Sequence, residues 1–142
     1  MIKLPVFIDT SPCVYLIEKN PDFGPLCIKI FDFIQQSDQP SFTSIITAHE
    51  CFVKPLKLQD RRLLTAYEVL FIQTPNIQLV SPIYHTAFTA AQIRAAYHFS
   101  PSDSFQLALA QENRCQTFLT NDRQLTQFKN LKITCLSDLV TS

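Results

Sequence analysis

Four acidic residues lie at positions that solubility alone does not explain. Asp9 and Asp122 each follow an apolar segment, Glu50 lies early in a predicted helix, and Asp103 opens a largely apolar segment. Open parallel sheets place their chemistry at the carboxyl ends of the strands, next to the helices that follow. If these four acids converge there, their like charges require either protons or a divalent cation.

Such a cluster has a chemical use that needs no protein nucleophile. Mg²⁺ and Mn²⁺ prefer carboxylate and water oxygens as ligands. They can orient a phosphodiester, lower the pKa of a bound water and neutralise a leaving oxygen.

The sequence excludes several other kinds of active site. Gly24 is the only glycine, whereas P-loops, GxGxxG loops and GxSxG elbows all need more than one. A DxDxT phosphatase motif is also excluded by the Thr-Ser-Pro that follows Asp9.

Each acid alone also has a structural explanation. Asp9 could cap the next helix, Asp103 fits a capping box with Ser100, and Asp122 could favour the first turn of a short helix. Glu50 could simply be a solvated helix residue. The set is harder to explain in this way, because three of the four lie at junctions that share one edge in an α/β fold.

The hydrophobic pattern alternates between strands and helices along the whole chain. It predicts strands at residues 4–8, 41–44, 76–80, 116–119 and 131–134. It predicts helices at about residues 12–19, 25–36, 47–53, 59–73, 83–97 and 101–113, and a short helix at 122–128. We expect Ser11 to cap the first helix and Pro55 to limit the third. The pattern indicates an α/β fold with a mostly parallel central sheet and helices on both faces.

Composition narrows the class of protein. A chain of 142 residues with 17% charged residues predicts one compact domain over residues 1–142. A net charge of +0 argues against a strongly basic nucleic-acid surface, although a local patch remains open. The sequence has neither a membrane-span pattern nor a signal-peptide pattern, so we expect a cytoplasmic protein. The five cysteines include no CxxC pair, and we expect them to be buried and unpaired.

Four segments carry a resemblance to a known family. They read Phe-Ile-Asp-Thr-Ser at 7–11, Ser-Ile-Ile-Thr-Ala-His-Glu at 44–50, Ser-Pro-Ser-Asp-Ser-Phe-Gln-Leu-Ala at 100–108, and Phe-Leu-Thr-Asn-Asp-Arg at 118–123. In this order, and over nearly the whole chain, they resemble the PIN-domain family. They are most similar to single-domain VapC-type toxin ribonucleases.

The resemblance implies a PIN-like three-layer fold and a metal-dependent endoribonuclease that uses Mg²⁺ or Mn²⁺. It implies that the four acids Asp9, Glu50, Asp103 and Asp122 hold the metal and act in catalysis. It implies that Thr10 and Asn121 orient these carboxylates. Ser44 and Thr47 match the polar positions of the family's second motif, and Thr120 is a further candidate for a supporting role. It also implies an antitoxin protein partner and a homodimer.

Two departures from the family pattern are visible. Many relatives have a further acid two residues after the last motif acid, where this chain has Gln124. The usual Asp-Ala-Leu of the third motif reads Asp103-Ser104-Phe105. Basic residues that could contact RNA phosphates follow Glu50 or lie near the other motifs: Lys54, Lys57, Arg61, Arg62, Arg94 and Arg123.

Two functions therefore remain open, and a third is weak. The first is a metal-dependent endoribonuclease that acts as the toxin of a type II toxin–antitoxin pair. The alternative is a catalytically weak or inactive PIN-like module that binds RNA or protein. A phospho-receiver domain is the weak candidate, because it needs a pair of acids after the first strand and only Asp9 is present.

Overall fold

A computed structural model describes residues 2–140. Within these residues the strands are β1 (Val6–Ile8), β2 (Ser41–Ser44), β3 (Ile77–Val80), β4 (Thr117–Thr120) and β5 (Lys132–Cys135). The helices are α1 (Thr10–Ile17), α2 (Gly24–Gln35), α3 (Ile45–Leu58), α4 (Arg61–Gln73), α5 (Tyr84–Tyr97), α6 (Pro101–Glu112) and α7 (Leu136–Val140). A 3₁₀ helix at Arg123–Gln127 precedes β5.

The five strands form one parallel sheet in the order β3-β2-β1-β4-β5. The predicted α/β fold with a mostly parallel sheet is therefore confirmed. The central strand β1 is fully buried, and Phe7 lies opposite Phe42 on one side and Phe118 on the other. The ring of Phe7 stacks on that of Phe118 at 5.4 Å between centroids, which favours the observed register between β1 and β4.

Apolar side chains fill a core on each face of the sheet. Because side chains alternate along a strand, Val6 and Ile8 face one core while Phe7 faces the other. The Val6 face packs against α1, α2, α3 and α4, and the Phe7 face against α5 and α6. This three-layer arrangement leaves the carboxyl ends of the strands along one edge, where the predicted acids lie.

Three helix starts differ from the predicted ones, and side-chain capping explains two of them. Helix α3 begins at residue 45, since the Ser44 hydroxyl accepts from the backbone N–H groups of Ile46 and Thr47. Helix α4 begins at residue 61, where the Asp60 carboxylate accepts from the Leu63 N–H at 3.0 Å. Helix α1 begins at residue 10, so the N-cap position belongs to Asp9 and the prediction of Ser11 was wrong.

Pro55 does not limit the third helix, and α3 continues to Leu58. A proline inside a helix removes one backbone hydrogen bond. Here Pro55 and Cys51, four residues apart, are both buried on the side of α3 that packs into the fold. The tertiary burial of this side of the helix outweighs the lost bond. The helix ends at Leu58, and the next residue, Gln59, adopts a left-handed backbone conformation.

Helix α7 was not predicted, because its five residues are too few to carry a helical period. None of the helices formed by residues 2–140 is both long and apolar enough to cross a lipid bilayer. All five cysteines are buried and free, and burial raises the pKa of Cys27, Cys51 and Cys115 to about 12.

Candidate active site

The four acids predicted from the sequence line one open cleft of about 690 Å³ at the carboxyl edge of the sheet. Asp9 follows β1 directly, and Asp122 lies two residues after β4. Glu50 lies in the second turn of α3, and Asp103 lies in the first turn of α6. The other lining residues come from α1 and the end of β4: Thr10, Ser11, Val14, Tyr15, Thr120 and Asn121.

Asp9 is the most buried of the four acids, with 8% of its surface exposed. Its Oδ2 atom accepts from the Thr120 hydroxyl at 2.7 Å, and its Oδ1 atom accepts from Gln106 Nε2 at 3.3 Å. Burial raises the pKa of Asp9 to about 6, although these hydrogen bonds oppose the rise. The negative charge of Asp103 also contributes to the raised pKa. The carboxyl group is therefore turned into the protein and does not cap α1.

Glu50 is exposed, yet two hydroxyl groups orient its carboxylate. Thr10 Oγ1 donates to Glu50 Oε1 at 2.5 Å, and Ser102 Oγ donates to Glu50 Oε2 at 3.0 Å. Thr10 belongs to α1 and Ser102 to α6. The side chain thus crosses the cleft between two helices, and it is not a freely solvated helix residue.

Asp103 and Asp122 complete the cluster from the other side. Burial raises the pKa of Asp103, and the negative charges of Asp122 and Glu50 add to this rise. Its backbone N–H donates to Ser100 Oγ at 3.1 Å, so the predicted cap of α6 is present. Asp122 is exposed and caps the 3₁₀ helix through the Gln124 N–H at 3.0 Å. One of its carboxylate oxygens is therefore engaged locally.

The four acids give the cleft a negative charge. Among the residues that the structure describes, no basic side chain forms an ion pair with any of the four acids. Within residues 2–140, no three acidic, histidine or cysteine side chains lie close enough together to form a ready-made set of metal ligands. The four acids therefore line one cleft without forming such a set.

Four of the predicted supporting residues form two pairs with different partners. Thr10 and Thr120 donate directly to acidic side chains. Ser44 and Thr47 do not, and instead bond the buried amide of Gln106.

Asn121 departs from its predicted role of orienting a carboxylate. Its Nδ2 atom donates to the Tyr15 hydroxyl at 3.2 Å, and its Oδ1 atom accepts from the Ser137 N–H at 3.2 Å. Its own backbone N–H donates to Ser11 Oγ at 3.1 Å. Asn121 therefore ties the loop after β4 to α1 and α7. It positions the segment that carries Asp122 rather than a carboxylate.

Two residues of the site were not among those predicted from the sequence. Ser102 bonds Glu50, and the fully buried Gln106 bonds three of the predicted residues. A signal for Gln106 was available, since it is a polar residue inside an apolar segment, three positions after Asp103 and so on the same face of α6. Ser102 had no comparable signal, because exposed serines are common near helix starts.

The predicted RNA-binding residues are dispersed. Lys57 lines a shallow groove that adjoins the cleft at Glu50, together with Lys54, whose ammonium group pairs with Glu18. Arg123 pairs with Asp138 at 2.9 Å and contacts Ser137. The remaining three are exposed on helix surfaces and line neither the cleft nor this groove: Arg61 and Arg62 on α4, and Arg94 on α5.

Comparison with known proteins identifies a family and a fold. The model of the PIN domain family matches residues 6–131. No curated protein matches the sequence. Among solved structures, a DNA-bound VapBC from Salmonella typhimurium is 20% identical, with a TM-score of 0.74 over 94% of this chain and 99% of that one.

Two further solved structures are similar in fold. VapBC2 from Rickettsia felis, bound to a DNA fragment from its promoter, is 16% identical, with a TM-score of 0.74 over 92% of this chain and 97% of that one. VapC20 from Mycobacterium tuberculosis, described as a toxin that cleaves the sarcin-ricin loop, is 14% identical, with a TM-score of 0.66 over 80% and 86%. At these identities the likeness concerns the fold.

Proposed function

This chain belongs to the PIN domain family, and we propose that it is a metal-dependent endoribonuclease that hydrolyses phosphodiester bonds in RNA. One observation carries the proposal. Four carboxylates from four separate parts of the chain line one open cleft, and no basic side chain of the described residues pairs with them. Nearby like charges that remain unpaired are costly, and binding a cation relieves that cost.

The donor chemistry of the cleft fits Mg²⁺ or Mn²⁺. Carboxylate oxygens are hard ligands, and the donors here are Asp9, Glu50, Asp103 and Asp122. A bound divalent cation would orient the scissile phosphodiester and make a bound water more acidic. The protein contributes the orientation of the ligands, because the hydroxyl groups of Thr10 and Thr120 donate to the carboxylates of Glu50 and Asp9 and restrict their rotation.

Two features support a nucleic-acid substrate. The cleft is open enough for a polymer chain to lie across it, rather than enclosing a small molecule. Lys57 lies in the adjoining groove beside Glu50, where an ammonium group can contact a flanking phosphate. RNA is the favoured polymer, since the M. tuberculosis protein of similar fold is described as cleaving the sarcin-ricin loop.

We also propose that the protein is the toxin of a toxin–antitoxin pair and forms a homodimer. Three solved structures of similar fold are toxin–antitoxin complexes or complexes of the VapBC and FitAB type. Large apolar side chains are exposed on neighbouring helices, including Leu56 on α3 at 60% and Ile72 on α4 at 74%. Exposed apolar surface of this kind suits a protein contact. Light scattering of the isolated chain tests the homodimer. Light scattering of the chain coexpressed with its neighbouring reading frame tests the antitoxin partner.

Asparagine variants of two acids test the nuclease. Asp9→Asn and Asp103→Asn keep the shape of each side chain and remove one charge. We expect each to lower the rate of RNA cleavage with Mn²⁺ by about a hundredfold or more, as loss of a metal-held charge does. Asp38→Asn, an exposed acid outside the cleft, is the matched control and should cleave at the wild-type rate. Undiminished cleavage by both cleft variants would contradict the proposal.

The second candidate function is a PIN-like module that binds RNA or protein without cleaving. It is favoured by Gln124, which occupies a position that is acidic in many relatives, and by the lack of a ready-made set of three metal ligands among residues 2–140. Calorimetric titration of Mn²⁺ into the metal-free protein separates the two candidates. Saturable binding that is lost in Asp9→Asn supports the nuclease, whereas no heat of binding supports the module.

A further inference from the structure

We propose that Gln106 is a positioning residue that fixes the carboxylate of Asp9 for cation binding. Its side chain is fully buried in α6 and makes polar contacts with three residues. The Oε1 atom accepts from the Ser44 hydroxyl, and the Nε2 atom donates to Thr47 Oγ1 at 2.5 Å and to Asp9 Oδ1 at 3.3 Å. This inference rests on the proposed metal-dependent function and adds a residue to that site.

The Ser44 cap dictates which way the Gln106 amide faces. The oxygen of Ser44 accepts from the backbone N–H groups of Ile46 at 3.1 Å and Thr47 at 3.3 Å. Because that oxygen is occupied as an acceptor, its hydroxyl proton is free to donate, and Gln106 must present its carbonyl oxygen. The NH₂ group then points towards Thr47 and Asp9, and each of its two protons has an acceptor.

This arrangement uses every polar atom of a buried side chain. An amide placed in the core without partners would be costly. Here the amide is satisfied, and it links the cap of α3 to the end of β1 through α6. Thr120 holds the other oxygen of Asp9 from β4. The two donors therefore bond different oxygens of the carboxylate and restrict its rotation, which preorganises its lone pairs.

Gln106 and Asp103, a second acid of the cleft, belong to the same helix and therefore move together. Gln106 lies three residues after Asp103, which places both on one face of the helix. Asp103 faces the open cleft, while Gln106 lies beneath it in the core. A shift of α6 would therefore move the half-buried Asp103 and the buried support of Asp9 together.

The test compares Gln106→Met with wild-type protein by calorimetric titration of Mn²⁺ into the metal-free chain. Methionine keeps the length of the side chain and removes both hydrogen-bonding atoms. We expect the Kd for Mn²⁺ to rise about tenfold, as it does when a group that orients a metal ligand is lost. The kcat for RNA cleavage at saturating Mn²⁺ should fall while the KM for RNA stays within about twofold, because Gln106 lies beneath the surface that RNA would contact.

Gln111→Met provides the matched control. Gln111 lies on the same helix, is half-buried, and makes no side-chain hydrogen bond within the described part of the chain. This variant should bind Mn²⁺ and cleave RNA as the wild type does. A cooperatively folded Gln106→Met protein with the wild-type Kd for Mn²⁺ would overturn the inference while leaving the nuclease proposal intact. A wild-type protein that binds no Mn²⁺ would contradict both.

A second variant covers the case in which Gln106→Met does not fold. Thr47→Val is nearly isosteric and removes the acceptor of the shorter Gln106 bond, while leaving the amide of Gln106 in place. We expect the Kd for Mn²⁺ to rise about threefold, since the amide is loosened but not lost. A folded Thr47→Val protein with an unchanged Kd would count against the inference.

Discussion

Thr120 donates its hydroxyl to Asp9 Oδ2 at 2.7 Å and accepts from the backbone N–H of Asp122 at 3.0 Å. One buried side chain at the end of β4 thus contacts the acid that follows β1 and the backbone of the acid that follows β4. The parallel pairing of β1 with β4 makes this possible, because Ile8 and Leu119 are opposite each other and the next residues lie together at the carboxyl edge.

Thr120→Val should weaken cation binding and shift the pH dependence of cleavage. The Thr120 hydrogen bond lowers the pKa of Asp9, which burial raises to about 6, so its removal should raise that pKa further. The acidic limb of the profile of kcat/KM against pH should move to higher pH. Thr117→Val, on the same strand but bonded to Lys3 O, is the control and should leave the limb in place.

Asp9→Asn should stabilise the metal-free protein at neutral pH. Because the folded state raises the pKa of Asp9 from 3.8 to about 6, the unfolded chain releases its proton first as the pH rises. The free energy of unfolding therefore falls between about pH 4 and 6, and the charged folded state carries a cost of about 2–3 kcal/mol above that range.

Urea unfolding in EDTA at about pH 4 and about pH 7.5 measures this effect. We expect a gain of about 1–3 kcal/mol for Asp9→Asn at the higher pH and little difference at the lower, where the wild-type carboxyl is already protonated. Saturating Mn²⁺ should stabilise the wild type and reverse the order at the higher pH, because a bound ligand stabilises only the state that binds it. Equal stability of the two proteins in EDTA at the higher pH would show that burial of Asp9 is not costly.

Ser104→Ala should increase stability without changing the cleft. The Ser104 hydroxyl is buried at 1% exposure and is the one buried side-chain polar atom of the described residues without a hydrogen-bond partner. Replacing it with a methyl group removes that desolvation cost and improves helix propensity in α6. We expect a gain of about 1 kcal/mol in the free energy of unfolding, measured with urea at neutral pH. A loss of stability would indicate that the hydroxyl is satisfied in solution.

Lys57→Gln should weaken RNA binding with little effect on the chemical step. Lys57 is exposed in the groove beside Glu50, so its contact with RNA would be a salt-dependent phosphate contact. We expect the KM for RNA to rise about threefold at low salt and kcat to stay constant. Lys29→Gln, an exposed lysine on α2, is the control, and an equal rise in KM there would mean that only net charge matters.

The family motifs by themselves account for much of the candidate site. The four acids, Thr10 and Thr120 can be recognised from local sequence, because most of them lie at a junction between an apolar strand and the next helix. Their meeting in one cleft follows from the parallel sheet, which gathers the carboxyl ends of its strands at one edge. The periodic pattern also predicted the strands well, because each is short and apolar between polar turns.

Other features could not be predicted from local sequence. Pro55 does not end α3, since burial of that side of the helix outweighs the lost backbone bond. Asn121 fits its motif yet bonds Tyr15 and Ser137, because the loop packs between α1 and α7. The positions of Lys54 and Arg123 in the sequence likewise did not reveal that each pairs with an acid outside the cleft.

The sequence by itself determined the fold class and the identity of the four acids, because hydrophobic period and strand-end chemistry are local properties of the chain. Tertiary structure alone decided how those acids are held. Gln106 lies 97 positions from Asp9, and their hydrogen bond exists only because α6 packs against the end of β1. Contacts at such separation depend on how the layers pack, and no local pattern specifies that packing.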